Sequence, residues 1–292
     1  MTILAMGVVG RGLVNPAEPI FHADDQGLQR GQAAFETLRV YRGRPFGLHE
    51  HLDRLSSSAE RIGLPPVSRE ELETLTQVVV AAAGLEECML RFYWTGGRNG
   101  AGEATAIAIV SQLPEGYEAQ RARGIHLIAL QLGIAAALRA RSPWLLGGVK
   151  STSYAVNMAA EAEAKRRGAD DAVFLSSEGY VLEGPVTNVW WRRDATLYTP
   201  ALELGILAGV TRSQILRSAG ELGYEVDEGW FELDALARAE EAFTSASVRE
   251  IMPVVRLDDR PLGDGRPGPA AQGLQESLRR AARLAEAAEP SR

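Results

Sequence analysis

The spacing of apolar residues predicts strands and helices in turn along the first part of the chain. The period of a strand is found in FETLRV, beginning at Phe35, and a turn follows in YRGRP. Apolar residues then recur at helical spacing from Leu52 to Ile62, and Gly63 ends this predicted helix. Arg54 lies beside its apolar stripe. The pattern then predicts a second amphipathic helix, REELETLTQVVVAAAGL, and two strands, ECMLRFYWTGG and EATAIAIVSQL.

A polar stretch near the middle of the chain predicts a linker. It is PEGYEAQRARG, residues 114–124, which contains proline, glycine and several charges and shows no periodicity. We therefore expect an N-terminal domain over residues 1–113 and a C-terminal domain over residues 125–292. The second domain is predicted to begin with the strand IHLIALQL and to continue with the helix SYAVNMAAEAEAKRRG, capped by Ser151 or Thr152.

Strand patterns return after this helix. A hairpin is predicted in DDAVFLSSEGYVLEG, turning at residues 177–179, and a further strand in TNVWWRRD. A glycine-punctuated loop opens a helix at about Thr211, and EEAFTSASVREIMPVV predicts a strand, a Ser/Thr-rich turn and another strand. The last twenty or so residues are predicted as a helix with a frayed end. The expected fold class is therefore α+β, in two unlike halves.

Composition places the chain among ordinary globular proteins. Hydrophobic residues make up 46% and charged residues 24%, and the net charge of −7 argues against a nucleic-acid or anionic-membrane partner. The single cysteine, Cys88, cannot form an internal disulfide, and the N-terminus lacks the pattern of a signal peptide. The longest apolar run, around Val78 to Leu85, is too short to span a bilayer. We expect a cytoplasmic protein.

Several known functional motifs are incomplete or absent in this sequence. GGVKST, around Lys150, resembles a nucleotide phosphate loop, but Val149 and Trp144 occupy the two positions where that loop needs glycine. GDGRPG, residues 263–268, matches a dinucleotide pattern, but a proline interrupts it and a surface turn is the better interpretation. The histidines of HEH, residues 49–51, are predicted to be solvent-exposed, and we assign no metal. The G-x-S-x-G elbow of hydrolases is missing.

Lys150 is ambiguous by itself. Between the apolar WLLGGV and a helix, it is either a surface charge or a partly desolvated amine whose lowered pKa would let it condense with an aldehyde. Pyridoxal phosphate is such an aldehyde, and it needs a carboxylate at its ring nitrogen and anchors for its phosphate. Glu183, at the end of a predicted strand before Gly184 and Pro185, is a candidate for the first, or else a surface acid.

Three segments offer phosphate anchors. The N–H groups of Val210 and Thr211 open a helix, whose dipole favours an anion. TSAS, residues 244–247, supplies hydroxyl groups, and Arg54 supplies a charged fork. Each has an ordinary alternative, as a helix cap or a surface ion pair.

Five motifs in order resemble the class IV aminotransferases: FETLRV…HLDRL, GVKSTSY, EGPVTNVW, GILAGVTR and TSASVREIMPV. This is the fold-type IV pyridoxal-phosphate family, which includes branched-chain, D-amino acid and (R)-amine aminotransferases and aminodeoxychorismate lyases. The resemblance runs from about residue 24 to residue 265. It implies two domains of the D-amino acid aminotransferase type, a smaller N-terminal α/β domain and a larger C-terminal domain that has a β-barrel-like core and carries the catalytic lysine. It also implies a homodimer.

The resemblance implies a role for each candidate residue. Lys150 would form the internal aldimine and move the proton, and Glu183 would pair with the ring nitrogen. The phosphate would be held by Arg54, Val210, Thr211 and Ser247. The other residues beside the cofactor would be Tyr154, Leu207 and Ala246. Phe35 and Thr37 would line the substrate pocket, and Arg91 would be either a carboxylate partner or a buried structural arginine.

Two positions depart from the family pattern. Members often carry Thr-Arg-Gly where this chain has Thr95-Gly96-Gly97, so a family arginine is missing unless Arg98 replaces it. Ala246 stands where glycine or serine is commoner, which puts one hydrogen bond to the phosphate in doubt.

The resemblance leaves three functions open. The first is an aminotransferase that moves an amino group between an amino acid or primary amine and a 2-keto acid. The second is an aminodeoxychorismate lyase, which uses the same residues and releases pyruvate and 4-aminobenzoate. SYAVNMAA and YVLEGP are most similar to proteins usually given this name. The third, a non-catalytic binding protein of the same fold, is disfavoured by the presence of both Lys150 and Glu183.

Overall fold

The computed structural model describes residues 2–288, and its contacts form two compact units. The first unit contains residues 2–115 and Val149–Tyr154, and the second contains Gly116–Gly148 and residues 155–288. The domain limits given above stay a prediction. The structure differs from the predicted organisation in two details. Tyr117–Arg123, within the predicted linker, form a helix. The segment that carries Lys150 makes its contacts in the first unit and not in the second.

The first unit is an antiparallel sheet with two long helices packed on one face. Its strands are β1 (Ile3–Val8), β2 (Gly12–Val14), β3 (Ala33–Tyr41), β4 (Arg44–Pro45), β5 (Cys88–Thr95) and β6 (Thr105–Ser111). Its helices are α1 (Gln26–Arg30), α2 (Leu48–Ile62) and α3 (Arg69–Ala83). The strand order is β2-β1-β6-β5-β3-β4. The strands and helices predicted for this part of the sequence are confirmed.

Alternation along β3 and β5 gives the sheet two different faces. Leu38 and Leu90 belong to the apolar core that α2 and α3 complete through residues such as Leu52. Phe35 pairs with Tyr93 and Thr37 with Arg91 across the two strands, so these four side chains share the opposite face. The packing of the core therefore determines that Phe35, Thr37, Arg91 and Tyr93 point to the opposite face of the sheet.

The second unit is built around a larger mixed sheet. Its strands are β7 (Ile125–Gln131), β8 (Asp171–Leu175), β9 (Asn188–Arg193), β10 (Thr196–Pro200), β11 (Glu225–Gly229), β12 (Glu241–Ala246), β13 (Glu250–Leu257) and β14 (Arg260–Pro261). Its helices are α4 (Tyr117–Arg123), α5 (Ala136–Arg141), α6 (Ala155–Arg166), α7 (Val210–Ser218), α8 (Leu233–Ala237) and α9 (Pro269–Ala288). Short 3₁₀ turns lie at Pro143–Leu145, Leu202–Leu204 and Gly220–Leu222. The frayed end predicted for the last helix falls on residues 289–292, outside the described residues.

The sheet of the second unit curls around an apolar interior. Its strand order is β11-β10-β9-β12-β13-β7-β8, and β14 pairs with β13. Single bridges join Leu175 to Val181 and Tyr180 to Glu232, which continues the pairing beyond β8 towards the segment after β11. Val189, Trp191 and Met252 are among the buried residues of the interior. The result is a barrel-like core.

The turn and cap predictions had mixed outcomes. The hairpin after β8 is confirmed, and Gly179 supplies the positive φ of 93° at its turn. The predicted helix near Thr211 is α7, which begins one residue earlier. The cap predicted at Ser151 or Thr152 is wrong, because α6 begins only at Ala155. Both residues are used instead in pairing with β3.

One glycine of the second unit is required by a close approach. Gly209 is the N-cap of α7 and has ordinary dihedral angles, φ −67° and ψ 136°, so its conformation would suit any residue. A Cβ at this position would lie 2.1 Å from Oδ1 of Asn188. Asn188 is buried, and its Nδ2 donates to the carbonyl oxygen of Leu207 at 2.9 Å. The side chain of Asn188 is therefore held against the start of α7.

We expect Gly209→Ala to lower the free energy of unfolding by about 1–3 kcal/mol, because the added methyl group overpacks a fixed buried side chain. Gly220→Ala is the matched control, because no atom lies within 4 Å of a Cβ there. Urea unfolding of both variants measures the difference. Equal stabilities would show that Asn188 moves freely.

Candidate active site

The backbone of Lys150 is bound to the first unit on both sides. Its carbonyl oxygen accepts from the N–H of Phe35 at 3.1 Å, and its own N–H donates to Oγ of Ser58 at 3.2 Å. The N–H of Thr152 donates to the carbonyl oxygen of Ala33 at 2.9 Å. These bonds fix the direction in which the lysine side chain leaves the chain.

The amine of Lys150 lies over an aromatic ring. Its Nζ is 4.4 Å from the centroid of Phe35, whose ring also meets Tyr154 edge-on at 5.2 Å. Tyr93 stacks on the same ring with centroids 6.2 Å apart. Lys150, Tyr154 and Phe35, which the sequence analysis assigned to one site, are thus brought together.

Arg91 and Thr37 form the next cross-strand residue pair on the same sheet face, beyond Phe35 and Tyr93. Nε of Arg91 donates to Oγ1 of Thr37 at 3.1 Å, and Nη1 donates to the hydroxyl of Tyr93 at 3.3 Å. Nη2 has the sulfur of Met89 at 3.7 Å. Within the part of the chain that the structure describes, this half-buried guanidinium has only neutral partners. An anion from outside the protein would complement it.

Arg54 is held by a buried carboxylate. Its Nε and Nη2 donate to the two oxygens of Glu36 at 2.6 and 2.8 Å. Nδ1 of His51 lies 2.6 Å from the same carboxylate, and its side chain is only 1% exposed. The prediction that both histidines of HEH are solvent-exposed is therefore wrong for His51, because it faces the core side of α2. His49 is exposed as predicted.

Glu183 of the second unit has two donors. Oε1 accepts from Nη2 of Arg139 at 2.9 Å, and Oε2 accepts from the N–H of Leu207 at 2.9 Å. The carboxylate is mostly buried, with 13% of the side chain exposed. Each carboxylate oxygen can accept a second bond, so the N–H of a protonated pyridine ring could still be bound.

The start of α7 presents N–H groups with no acceptor. Val210 and Thr211 are buried, the N-cap Gly209 offers no side-chain hydrogen bond, and the first bond back to the cap comes from Ser213. Among the described residues, nothing accepts from the N–H of Val210 or Thr211. A buried helix terminus of this kind is completed by an anion such as a phosphate.

The Ser/Thr-rich turn supplies fewer hydroxyl groups than its sequence suggests. Thr244 and Ser245 lie within β12, where Ser245 accepts from Nε1 of Trp190 at 3.0 Å. Oγ1 of Thr244 is buried and has no partner in the described residues. Ala246 ends the strand, and Ser247, half-buried, begins the turn.

Sequence reasoning missed Ser58, Met89 and Tyr93, which contact Lys150 or Arg91. It also missed four residues that contact other predicted site residues: Glu36, His51, Arg139 and Asn188. Glu36 gave one usable signal, since a charged residue faces the apolar side of a predicted strand. The partners of Arg139 and Asn188 lie in remote segments of the chain. His51 was predicted to be exposed, although it faces the core side of α2.

Each unit carries candidate groups of its own. The first holds an amine over a ring and two guanidinium groups, of Arg54 and Arg91. The second holds a carboxylate, at Glu183, and a helix terminus without acceptors. An amine, a carboxylate and phosphate anchors are the kinds of group that pyridoxal phosphate needs, so in chemical type the residues of each unit fit this cofactor. In the described residues, no helix has the length and apolar composition to cross a membrane.

Comparison with known proteins identifies relatives. The sequence profile described as "Amino-transferase class IV" matches residues 33–257. A bifunctional aminodeoxychorismate lyase / D-amino acid transaminase of Mycobacterium tuberculosis is 38% identical over 226 residues, which cover 74% of this chain and 78% of that protein. An aminodeoxychorismate lyase of Bacillus subtilis is 31% identical over 262 residues, 86% of each chain.

Solved structures agree with these relatives. A hypothetical aminotransferase from Mycobacterium tuberculosis, in a PLP-bound form, superposes with a TM-score of 0.90 at 32% identity, over 95% of this chain and 98% of that one. The same values hold for its form with alpha-ketoglutarate and PMP. The family, the fold-type IV architecture and the aminotransferase class predicted from the sequence are thereby confirmed. The chain belongs to the class IV aminotransferase family.

Proposed function

We propose that this chain is a pyridoxal-phosphate-dependent aminotransferase that moves an amino group from an amino acid or primary amine to a 2-keto acid. The cofactor predicted from the sequence is confirmed by the family, whose solved members include PLP and PMP forms. The proposal assigns the reactive amine to Lys150 and the partner of the ring nitrogen to Glu183. The phosphate contacts are assigned to Arg54, Val210, Thr211 and Ser247.

The position of the Lys150 amine carries this proposal. Its Nζ lies over Phe35 on the sheet face that also holds Thr37 and Arg91. The sequence has only one other lysine, Lys165, which is exposed on α6. The backbone bonds of Lys150 and the ring of Phe35 confine this amine to one place on the sheet face, as a reacting group requires.

The residues of the chain divide the work of transamination. When bound, pyridoxal phosphate supplies an aldehyde that takes up the amino group and a ring that accepts the electron pair released at the substrate carbon. Lys150 would remove the proton from that carbon and hold it during the transfer of the amino group. Glu183 would accept a hydrogen bond from the ring nitrogen and so stabilise the proton there. Phe35 and Tyr154 confine the amine to one side of the site.

The proposed cofactor neighbours Tyr154, Leu207 and Ala246 support the bound ring and phosphate in different ways. Tyr154 packs against Phe35, and Leu207 donates its N–H to Glu183. Ala246 supplies only backbone groups, so the phosphate turn depends on Ser247 for a hydroxyl. A homodimer, implied by the sequence resemblance, and a cytoplasmic location, expected from a single cysteine that can form no internal disulfide, complete the proposal.

Lys150→Ala should abolish covalent attachment of the cofactor and lower the rate of transamination by at least about 10³-fold. Borohydride trapping of the holoenzyme, followed by peptide mass mapping, should place the cofactor on the Lys150 peptide. Lys165→Arg is the matched control and should retain both attachment and activity. Attachment to Lys165 would refute the assignment.

A lyase is the second candidate function. The relative from Mycobacterium tuberculosis is named for both activities, and the relative from Bacillus subtilis for the lyase alone. Both reactions use the same amine and the same ring carboxylate. They differ in the fate of the electron pair released at the substrate carbon. In the aminotransferase this pair would pass into the cofactor ring, whereas in the lyase it would expel the side chain as the enol of pyruvate.

A half-reaction separates the two functions. In an aminotransferase, an amino donor alone should convert the near-visible absorption of the holoenzyme to the ultraviolet and release one keto acid per site. Glu183→Gln should slow this conversion by about 100-fold or more, because the ring loses its charged partner. Glu203→Gln, at an exposed acid, is the control and should be unaffected. Donors that leave the spectrum unchanged, with 4-aminobenzoate formed from aminodeoxychorismate, would establish the lyase instead.

We propose further that Arg91 binds a carboxylate of the substrate. The partners of Arg91 are neutral, so the charge of this half-buried guanidinium has no counter-charge within residues 2–288. Arg91 lies one cross-strand pair from Phe35, a separation of about 7 Å along the sheet. That spacing suits the second carboxylate of a dicarboxylic keto acid such as 2-oxoglutarate. Arg98 is the competing candidate, but its side chain is 57% exposed and pairs with Asp24.

Arg91→Met should raise the KM for 2-oxoglutarate by about tenfold or more, with much less effect on pyruvate, which has no second carboxylate. Arg98→Met should change neither value appreciably. Steady-state kinetics with the two keto acids and one donor provide the comparison. A selective loss of 2-oxoglutarate binding in Arg98→Met, and not in Arg91→Met, would transfer the role to Arg98.

A further inference from the structure

Three polar side chains form a cluster on the helix side of the first unit. Glu36 is fully buried on β3, and His51 and Arg54 lie three residues apart on α2. The side chain of Arg54 is 13% exposed, whereas the other two are essentially inaccessible. Leu38, Leu52 and Leu55 of the apolar core are fully buried on the same two elements. We call these three polar side chains the Glu36 cluster.

The protonation states within the Glu36 cluster follow from its surroundings. Burial alone would raise the pKa of Glu36, but the charge of Arg54 and hydrogen bonds from Arg54 and His51 hold that pKa well below its usual range. Burial lowers the pKa of His51, and this outweighs the attraction of the neighbouring carboxylate. His51 is therefore neutral near pH 7. Its Nδ1 carries the proton, because an ionised carboxylate can only accept.

The hydrogen bonds fix the guanidinium of Arg54 in both position and plane. Two parallel bonds from Nε and Nη2 engage the two oxygens of Glu36, which is the most directional arrangement available to this pair. Nδ1 of His51 lies 2.6 Å from Oε2 of the same carboxylate, the oxygen that also accepts from Nη2 of Arg54. A guanidinium has five N–H donors, so a carboxylate that takes two of them does not exhaust its capacity.

Stability alone does not account for these residues. A buried ion pair is often no more stabilising than well-packed apolar side chains of similar volume, because both ions lose their hydration. The cluster lies among leucines that already form such a core. Its distinctive property is the exact placement of one cationic group at the boundary of the core.

We propose that Glu36 and His51 are positioning residues that hold the Arg54 guanidinium ready for the phosphate of the cofactor. The inference rests on the proposed phosphate contact of Arg54 and extends it to two residues that touch neither cofactor nor substrate. Glu36 sets the plane of the guanidinium, and the neutral His51 keeps the carboxylate from rotating away. Pre-orientation of this kind lowers the entropy cost of binding an anion.

The test compares pyridoxal phosphate with pyridoxal, which lacks the phosphate. Apoenzyme is titrated with each compound, and the dissociation constants are read from the near-visible absorption. His51→Leu and Glu36→Gln should weaken the binding of pyridoxal phosphate by about tenfold or more and change that of pyridoxal by less than about threefold. His51→Asn should retain most of the affinity, because its amide nitrogen can replace Nδ1 as the donor to Glu36.

Two further variants make the outcome interpretable. Thr76→Val removes a buried hydrogen bond on α3, to the carbonyl oxygen of Leu72, and should leave the preference for the phosphate unchanged. Arg54→Gln should abolish most of that preference. If Glu36→Gln does not fold, the two His51 variants decide, because they change no charge.

The possible failures are distinguishable. A wild-type enzyme without a preference for pyridoxal phosphate, or an unchanged preference in Arg54→Gln, would overturn the proposed contact of Arg54. If Arg54→Gln loses the preference while the Glu36 and His51 variants keep it, the positioning role is refuted and the phosphate contact stands. Equal weakening of both compounds by His51→Leu would show a structural role only.

Discussion

The antiparallel pairing of residues 150–152 with the start of β3 is the contact on which the position of the Lys150 amine depends. The bonds run between backbone groups, from Phe35 to Lys150 and from Thr152 to Ala33. Lys150 is therefore paired with the edge of β3 like a residue of a strand, although more than a hundred residues separate it from β3 in the sequence. A lysine side chain is a flexible four-carbon stem, so a fixed backbone and an aromatic surface are needed to confine its amine.

Strand β3 serves two purposes because its side chains alternate. Phe35 and Thr37 face the side where the amine lies, and Glu36, between them, faces the helices and holds Arg54. A one-residue slip of this strand would exchange the two sets. The long register with β5, which extends from Ala33 to Val40, and the burial of Leu38 both oppose such a slip. Packing of the core and placement of the site are therefore one constraint.

Sequence reasoning recovered the elements whose signals are local and missed those whose partners are remote. Periodicity located β3, α2 and α3, and five ordered motifs identified the family and supplied the candidate residues. The burial of His51 was missed because two histidines at a helix start look exposed when Glu36, fifteen residues earlier, is not known to face them. Arg139 gave no signal either, since its carboxylate lies 44 residues further on. The helix cap at Ser151 was misplaced because a polar residue before a helix can equally pair with a strand.

The scarcity of lysine has a consequence for handling the protein. Of 31 basic side chains, all but Lys150 and Lys165 are arginines. An aldehyde in solution forms adducts with accessible lysines but hardly with arginines, whose guanidinium stays charged. Apart from the chain's terminal amine, Lys165 is thus the one exposed site for unwanted glycation or for deliberate coupling. Amine-directed dyes or supports would attach at the surface of α6, because Lys150 is half-buried with its amine over Phe35.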